Sequence, residues 1–354
     1  MKDLLLNKKK RSTMLTYGVV VVAFIIMQTL SSMGMLKSSV NGYLVPVTAY
    51  IVLAVSLNLL VGICGELSLG HAGFMGIGAF TGIVIAALLK DYIANDILRL
   101  AAAMVAGGFM AGILGFLIGI PVLRLKGDYL AIVTLAFGEI IKNFVNNMYV
   151  ATDSKGFHFA IATTKPEYAD GVKMIINGPL GATGIQKLST FAMGFALIMF
   201  TLFVVLNLIN SKEGRAIKAI KENRIAAESV GINVTAFRMK AFVVSAFLAG
   251  MAGALFGLNF SSITASKFNF NTSINILVFV VLGGMGNILG SVVSATLLYI
   301  LPEAMRSLDK FRMILYAVVL IVVMLCTWSP KVKGFIARVA ASIKEKLDKK
   351  GKEA

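Results

Sequence analysis

The sequence predicts an all-α integral membrane protein, built as a polytopic bundle of eight to ten transmembrane segments. Of its 354 residues 58% are hydrophobic and only 14% are charged, whereas a soluble globular domain carries about 25% charged residues. Its apolar runs are close to the length of about 20 residues with which a helix crosses the hydrocarbon core of a bilayer. The runs do not alternate between apolar and polar residues, as the strands of a transmembrane β-barrel do. The composition therefore excludes a soluble globular domain.

Nine apolar runs follow one another along the chain, and each is a candidate membrane segment. They cover residues 14–36, 43–64, 67–89, 97–122, 129–149, 190–209, 240–260, 273–301 and 313–328. The first run follows the basic sequence KKKR, as the apolar part of a signal peptide would. However, it is longer than the roughly 7–15 apolar residues of a signal peptide, and no small-x-small cleavage site follows it. We therefore interpret it as a retained membrane span.

Positive charge is concentrated in three places, and the net charge is +17. Of the 34 Lys and Arg residues, five lie in residues 1–13, seven in residues 210–240 and eight after Ser329. Basic residues of this kind mark the cytoplasmic parts of membrane proteins. We therefore expect a basic cytoplasmic N-terminus (1–13), a membrane domain (14–328) and a basic cytoplasmic tail (329–354). Nucleic-acid binding is disfavoured, because the charge is not spread over a binding face.

The topology follows from counting crossings between the charged parts. Six crossings from a cytoplasmic N-terminus put the polar stretch 150–189 outside and the charged segment 210–240 inside. Three further crossings would leave the basic tail outside, against the positive-inside rule. The run 273–301 contains the sequence GGMGN, and non-helical backbone is tolerated at membrane depth where protein buries it. We therefore expect a broken or re-entrant segment near 283–288; two short crossings with a further break elsewhere are the alternative.

Glycine pairs spaced four residues apart indicate closely packed helices, because small residues let helix backbones approach each other in a membrane. The pairs are Gly78 and Gly82, Gly108 and Gly112, Gly115 and Gly119, and Gly253 and Gly257. Together they predict a compact bundle rather than a loose one.

Ionisable residues inside the apolar runs need a charged partner or water, because a bare charge is costly in a bilayer. Those in or directly beside the runs include Glu66, His71, Asp128, Glu139 and Lys142. Glu139 and Lys142 face the same way on a helix, so mutual neutralisation is one interpretation. Asn143 and Asn146 extend this polar face, so a wet path through the bundle is the other. The candidate path residues are His71, Glu139, Asn143 and Asn146, although His71 also suits an ordinary helix start.

The sequence does not support an enzyme. It has two histidines, His71 and His158, and neither an HExxH nor a CxxC motif. The stretch GELSLGH resembles a phosphate-binding loop, but His71 replaces the lysine that would reach the phosphates. We therefore expect this chain to bind no cofactor and to hydrolyse no ATP itself. Cys64 and Cys326 lie in apolar runs and are expected to be small buried residues.

The charged segment 210–240 stands between long apolar runs. Its sequence predicts two helices, 212–222 and 224–230. Asn223 is the predicted N-cap between them, and Gly231 is the predicted end of the second. Apolar residues occur at helical spacing, namely Ile217, Ile220, Ala227 and Val230. A short helix needs such a face to dock in a groove of another protein, so we expect a soluble partner to bind this segment.

Long motifs occur in a fixed order between residues 45 and 330. They are LSLGHAGFMGIGAF (67–80), LRLKGDYLAIVTLAFGEIIK (123–142), NGPLGATGI (177–185), GRAIKAIKENRIAAESVGINV (214–234), AFVVSAFLAGMAGALFG (241–257) and VVLGGMGNILGSVVSATLLYILPE (280–303). In this order and at this length the chain resembles the permease subunits of ABC importers for branched-chain amino acids, specifically the larger, LivM-like subunit.

The resemblance implies that the charged segment couples the chain to a cytoplasmic ATPase. The residues that it assigns to this coupling are Gly214, Arg215, Glu222, Ala226, Ala227, Glu228 and Gly231. Importer permeases commonly have Glu-Ala-Ala, three residues and then Gly at this point, whereas the stretch IAAESVG has Ile225 where the glutamate would stand. Glu222 or Glu228 is the expected substitute for that acidic contact.

The resemblance also implies the partners and the location. The partners are two cytoplasmic ABC ATPase subunits that hold ATP–Mg, a second related permease and an external or periplasmic solute-binding protein. The chain would lie in lipid as a multi-pass protein of the bacterial cytoplasmic (inner) membrane, with both termini inside, and would move leucine, isoleucine and valine by alternating access. A permease for urea or another small polar solute is an alternative, and a secondary transporter that needs no ATPase is an alternative of a different class.

Overall fold

The computed structural model describes residues 2–34, 38–125, 127–153, 156–161 and 173–304, together with residues 317, 318 and 321. The α-helices of this part are α1 (Lys2–Ser32), α2 (Ser38–Asn58), α3 (His71–Leu88), α4 (Asp96–Val122), α5 (Asp128–Asn146), α6 (Phe191–Asn210), α7 (Lys212–Glu222), α8 (Arg224–Ser229), α9 (Val234–Gly257), α10 (Phe270–Gly283) and α11 (Ile288–Ala304). The strands are β1 (Met148–Asp153), β2 (Gly156–Ile161), β3 (Lys173–Asn177), β4 (Ala182–Thr183) and β5 (Ser262–Ile263). A π-helix, Leu59–Cys64, continues α2, and short 3₁₀ helices occur at Gly178–Leu180 and Ala265–Phe268.

Six helical stretches in the described residues are long and apolar enough to cross a membrane. They are Thr13–Ser32, Val40–Cys64, His71–Leu88, Asp96–Val122, Phe191–Asn210 and Val234–Gly257, and the shorter apolar helices are Phe270–Gly283 and Ile288–Pro302. The prediction of a helical integral membrane protein is therefore confirmed. The chain divides into two compact units, Met1–Thr296 and Leu297–Ala354. The predicted segment 313–328, apart from isolated positions, and the tail 329–354 lie outside the described residues.

Asparagine caps the start of several helices and explains where they begin. The side chain of Asn95 accepts a hydrogen bond from the Ile97 N–H at 3.0 Å, at the start of α4. Asn233 does the same at the start of α9, and Asn269 at the start of α10. These bonds satisfy N–H groups that the first turn of a helix leaves without an internal partner.

Helices α3, α4 and α9 pack through glycine. A Cβ added to Gly78 of α3 would overlap the backbone of Gly250 on α9. A Cβ added to Gly253 of α9 would overlap the carbonyl of Met75 on α3, and one at Gly107 of α4 would meet the carbonyl of Gly78. The backbones approach so closely that side chains do not fit between them. The predicted glycine pairs all face neighbouring helices, and the compact packing is confirmed.

The chain between α2 and α3 is not a continuous membrane helix. The π-helix ends at Gly65, which has a φ of +79°, and α3 begins only at His71. The predicted segment 67–89 therefore begins too early. The intervening stretch runs beside α5, because the Leu69 N–H donates to Thr134 Oγ1 at 3.0 Å. Gly70 permits this approach, since a Cβ there would overlap the Thr134 carbonyl.

The polar stretch predicted as a loop contains a small antiparallel β-sheet, which the sequence analysis missed. The strand order is β2-β1-β3-β4-β5. Val150 of β1 pairs with Phe159 of β2 on one side and with Ile176 of β3 on the other. Strand β5 comes from beyond α9, and Ala182 pairs with Ile263. Helix α6 spans about 30 Å at 1.5 Å per residue and separates this sheet from the charged segment.

The predicted break near 283–288 is confirmed. Helix α10 ends at Gly283 and α11 begins at Ile288. Between them Gly284 and Gly286 have φ values of +90° and +87°, which glycine adopts without the strain that a Cβ would cause. The two helices fold back on each other, because the Ser294 hydroxyl donates to the Phe279 carbonyl.

Candidate functional site

The charged segment forms α7 and α8, and local sequence explains both helices. Ser211 caps α7, because its Oγ accepts from the Gly214 N–H at 3.1 Å. Asn223 ends α7 and caps α8, because its Oδ1 accepts from the Ala226 N–H at 3.1 Å. Gly231 follows α8 with a φ of +83°, a conformation that commonly ends helices. The predicted limits and caps of both helices are confirmed to within one residue.

The apolar face of the charged segment packs onto the protein itself. Ile217, Ile220 and Ala227 are buried. Ile220 and Ala227 form a small core with Val234 at the start of α9. The expectation that these residues form the docking face is wrong, because the turn from α8 into α9 folds them inward. Val230 differs, since 75% of its surface is exposed.

Most residues assigned to coupling by resemblance are exposed. Arg215, Glu222, Ala226, Glu228 and Gly231 are exposed, whereas Gly214 and Ala227 are buried. A side chain at Gly214 would overlap the carbonyl of Ile209 at the end of α6. Glu228 is paired with Arg224, with 3.0 Å between Oε1 and Nε. Gly214 and Ala227 therefore shape the segment and do not form its outer surface.

Exposed apolar side chains occur beside these polar residues. Ile225 is 77% exposed, and together with Ala226 and Val230 it forms an apolar patch that we term the α8 surface. Ile225 and Val230 are β-branched and lie close in sequence to the charged residues Arg224 and Glu228. In the sequence Ile225 is notable only because it replaces an acidic residue, whereas in the structure most of its surface is exposed to solvent.

Two basic side chains attach the charged segment to the membrane bundle. Lys221 on α7 donates from Nζ to the carbonyl of Gly62 in the π-helix at 2.7 Å. Arg238 on α9 is buried, lies 2.5 Å from the Glu66 carboxylate and donates to the Leu123 carbonyl at 3.1 Å. These contacts join four parts of the chain. Neither basic residue was predicted as an attachment point. The one signal in the sequence was the charge of Glu66 between two apolar runs.

A cleft of about 520 Å³ opens between these attachments. Its walls include both acidic and basic side chains, namely Glu66, Asp128, Lys221, Arg224 and Arg238. The rest of the lining is Cys64, Gly65, Leu67, Gly127 and Ile220. The cleft therefore lies where the π-helix, α5, α7, α8 and α9 converge. No group of three or more His, Cys, Asp or Glu residues that could hold a metal ion occurs among the described residues.

His71 lies in the interior at the first residue of α3. Its Nε2 is 2.9 Å from Ser56 Oγ on α2. The N–H of the next residue, Ala72, donates to Ser273 Oγ in the first turn of α10 at 3.0 Å. Helices α3 and α10 therefore begin close together inside the bundle. The ring of His71 is fully surrounded by protein in this state of the molecule.

Glu139 stands near the middle of α5 and touches the start of α10. It forms an ion pair with Lys142, so the predicted neutralisation occurs. Its Oε1 also accepts a hydrogen bond from the Phe270 N–H at 3.2 Å. A carboxylate at this position is favourable, because the N-terminus of a helix carries partial positive charge.

The four candidate path residues are brought together only in part. His71 and Glu139 both lie next to the first turn of α10. Asn143 and Asn146 follow on later turns of α5, where Asn143 is exposed and Asn146 is partly buried. Glu139 and its neighbours on α5 therefore form a polar strip that begins at the meeting point of α3, α5 and α10.

Most of the chain matches one known protein family. A family described as "Branched-chain amino acid transport system / permease component" matches residues 39–327. The chain belongs to this family. The residues of this chain that match the branched-chain amino acid permease family include α2 to α11 and the charged segment.

Individual family members are similar over much of their length. The LivM permease protein of the high-affinity branched-chain amino acid transport system of Salmonella typhimurium is 33% identical over 316 residues, which are 86% of this chain and 72% of that protein. The protein of the same name from Escherichia coli is 34% identical over 292 residues, which are 80% of this chain and 67% of that protein. BraD of Pseudomonas aeruginosa is 27% identical over 265 residues. The resemblance to the LivM-like permease is confirmed.

Proposed function

We propose that this chain is the transmembrane permease subunit of an ATP-driven ABC importer that moves leucine, isoleucine and valine into the cytoplasm. Membership of the branched-chain amino acid permease family supports the substrate class. The charged segment is the observation that supports energy supply by an ATPase. Its two capped helices present an exposed surface and are attached to the bundle by Lys221 and Arg238. Such a segment suits a membrane protein that receives its energy from a soluble partner.

The partners in this proposal are two ABC ATPase subunits that bind ATP–Mg, a second related permease and an external solute-binding protein. ATP binding closes the ATPase subunits, the charged segments move with them, and the bundle opens outward to accept an amino acid from the binding protein. Hydrolysis of ATP then resets the assembly. In this cycle the chain itself performs no chemistry, and its part is to convert motion of the charged segment into access to the path.

The proposed topology has both termini in the cytoplasm of a bacterial inner membrane. In this proposal α5, α10 and α11 cross the membrane in addition to the six long apolar helices. The described residues would then contain nine membrane segments. The break at Gly284–Asn287 lies on the charged-segment side, so α10 and α11 count as two crossings. A further crossing at 313–328 would then return the basic tail to the cytoplasm, as its charge requires.

The proposed path passes the meeting point of α3, α5 and α10. His71 and Glu139 lie there, and Asn143 and Asn146 continue it along α5. Helix starts inside a membrane protein present partial positive charge, which suits the carboxylate of an amino acid. Alanine at Glu139, Asn143 and Asn146 together should reduce leucine uptake while the protein still inserts. Unchanged uptake would remove these residues from the path.

The proposed contact with the ATPase is formed by the α8 surface and the exposed charged residues around it. Ile225 and Val230 are exposed apolar residues that would lose contact with water on docking. Burial of such side chains is favourable by about 1.5–3 kcal/mol each. We therefore propose that apolar contact at Ile225 takes the place of the acidic contact of other permeases, with Glu222 and Glu228 at its edge.

The test of this function is uptake of radiolabelled leucine by cells that lack this chain. The cells are complemented with the intact chain, with Gly231→Asp or with the control Gly184→Asp. Both glycines have positive φ and open space around the Cβ position, but Gly184 lies beside the β-sheet. We expect the intact chain and Gly184→Asp to restore energy-dependent uptake and Gly231→Asp to fail although it is inserted.

Other outcomes of this experiment would redirect the assignment. Uptake that is unaffected by deletion of the chain would refute branched-chain amino acids as the substrate, and urea and other small polar solutes would be tested next. Uptake that depends on the chain but survives loss of the cytoplasmic ATPase would indicate a secondary transporter. Equal failure of both glycine variants would show a folding defect rather than a role in coupling.

A further inference from the structure

The π-helix Leu59–Cys64, which we term the π segment, lies between the charged segment and the break in α10–α11. All six of its residues are buried. Helical turns of this type are rare and are frequently found at functional sites. The π segment is therefore a buried departure from regular α-helix that lies between two other parts of the fold.

On one side the π segment is held by the charged segment. The Nζ of Lys221 donates to the Gly62 carbonyl at 2.7 Å. The stem of the same lysine packs against Gly65, where an added Cβ would lie 2.9 Å from Lys221 Cγ. A charged donor forms a stronger hydrogen bond than a neutral one. Motion of α7 therefore acts directly on the backbone of the π segment.

On the other side the π segment is held by the helix break. Asn58, the last residue of α2, accepts at Oδ1 from the Gly286 N–H at 2.7 Å. Its Nδ2 donates to the Asn287 carbonyl at 3.1 Å and to Ser291 Oγ at 2.7 Å. Asn58 is completely buried. The backbone of the break is therefore fixed to the residue that immediately precedes the π segment.

Gly62 is the point at which both contacts meet. Its carbonyl accepts from Lys221, and a Cβ on the same residue would overlap the backbone of Gly286 and the side chain of Asn58. One residue of the π segment thus touches the charged segment and the break at once. A shift of the Gly62 carbonyl by the length of a hydrogen bond would disturb the bonds of Asn58.

We infer that the π segment transmits motion from the charged segment to the α10–α11 break, with Lys221 and Asn58 as positioning residues. The inference rests on the proposed function, since it assumes that an ATPase moves the charged segment. In this linkage α7 pulls on Gly62 through Lys221, and the π segment passes the displacement to Gly286 and Asn287. The start of α10, beside Glu139, then moves with the same helix and changes access to the path.

The first test compares transport with ATP hydrolysis in one preparation. The complete complex is reconstituted in vesicles of bacterial phospholipid, and leucine uptake and ATP hydrolysis are measured for Lys221→Met, Lys221→Arg and Lys212→Met. Lys212 is exposed at the start of α7 and serves as the control for loss of one charge. We expect Lys221→Met to lower the leucine moved per ATP by up to about tenfold, the effect of losing one hydrogen bond from a charged group that remains in contact with water. Arginine should restore most of it, and Lys212→Met should be unchanged.

A parallel decline of uptake and hydrolysis in Lys221→Met would overturn the inference, because it would indicate a damaged complex rather than a broken linkage. Uptake and hydrolysis that both stay at the wild-type rates in Lys221→Met would overturn it as well, because the hydrogen bond to Gly62 would then have no part in transport. The ratio of leucine to ATP distinguishes a damaged complex from a broken linkage. Hydrolysis depends on docking of the ATPase, whereas uptake depends in addition on the response of the membrane helices.

The second test does not depend on the transported substrate. Met285 is exposed within the break, so Met285→Cys is introduced in a chain whose Cys326 is replaced by alanine, while the buried Cys64 is kept because it belongs to the π segment. Its rate of maleimide labelling is measured in the complex with and without a non-hydrolysable ATP analogue. We expect the ATP analogue to change the labelling rate of the protein that retains Lys221. In Lys221→Met the labelling rate should be the same with and without the analogue.

A labelling rate that is the same with and without the ATP analogue when Lys221 is present would overturn the linkage. A rate that responds equally with and without Lys221 would also overturn it. If the rate responds only with Lys221 while the complex moves no leucine, the linkage stands and the substrate assignment is wrong. The two tests therefore distinguish failure of this inference from failure of the proposed function.

Discussion

Replacing Arg238 with methionine should destabilise the protein by about 3–5 kcal/mol, the usual cost of removing one partner of a buried ion pair. Arg238 is 2% exposed, and its guanidinium lies 2.5 Å from the Glu66 carboxylate. The substitution would leave that carboxylate unpaired and the Leu123 carbonyl without its donor. Because 15% of the Glu66 side chain is exposed and water can reach it, we expect the lower end of this range.

The matched control is Lys240→Met on the same helix. Lys240 also forms an ion pair, with Glu213, but both side chains are about half exposed to solvent. Exposed ion pairs contribute only about 0–1 kcal/mol, so this variant should be close to wild type. The free energy of unfolding is measured by chemical denaturation in detergent micelles, followed by the circular dichroism of the helices. Equal stabilities of Arg238→Met and Lys240→Met would refute the structural importance of the buried pair.

A double-mutant cycle isolates the ion pair from other losses. Combining Glu66→Gln with Arg238→Met removes both charges, so the combined loss should be smaller than the sum of the single losses by about 1–3 kcal/mol. Additive effects would mean that the two residues act independently and that the ion pair between Arg238 and Glu66 adds nothing to stability.

Three further predictions concern other parts of the molecule. Gly253→Val should lower the yield of folded protein, since overpacking against α3 costs about 1–3 kcal/mol. The yield is measured by size-exclusion chromatography and compared with that of Gly18→Val, where the added side chain has open space. Equal yields of the two variants would contradict the prediction. Ile225→Lys should weaken binding of the purified ATPase by about tenfold, or 1.4 kcal/mol, in a pull-down titration, and undiminished binding would exclude the α8 surface. Glu139→Gln should lower thermal stability by roughly 1 kcal/mol, because Lys142 loses its partner and α10 a favourable charge at its start; an unchanged melting curve would argue against that contact.

The charged segment could be predicted in detail because its signals are local. Asn223 and Gly231 set the ends of α8 by backbone hydrogen bonding and by φ, and neither depends on the rest of the fold. The break at Gly284–Asn287 was predictable for the same reason, since paired glycines at membrane depth disfavour a continuous helix. The glycine spacing of α3 and α9 likewise indicated close packing before any contact was known.

Contacts between distant parts of the chain could not be predicted. Lys221 and Gly62 are 159 positions apart, and the carbonyl that accepts the bond has no signature in the sequence. The inward orientation of Ile220 was missed because an apolar helix face indicates burial without showing whether the chain itself or a partner covers it. Strand β5 pairs with β4 from beyond α9, so the sheet needed a long-range pairing that short apolar runs do not specify.

The candidate path was predictable as a set of polar residues but not as a geometry. Glu139 and Lys142 were expected to pair because they are three residues apart on a helix, and they do. Glu139 also accepts a hydrogen bond from the start of α10. This contact depends on the position in the bundle at which the chain enters α10 after β5. The sequence contains no local sign of that return, so the meeting point of α3, α5 and α10 emerges only from the structure.

The most direct test of the central claim is leucine accumulation in vesicles that contain this chain with its second permease, ATPase and binding protein. We predict accumulation above the outside concentration only when ATP is supplied on the ATPase side, and none when the chain is omitted. Accumulation that needs no ATP and is abolished by a proton or sodium ionophore would contradict the account, because it would assign the energy source to an ion gradient.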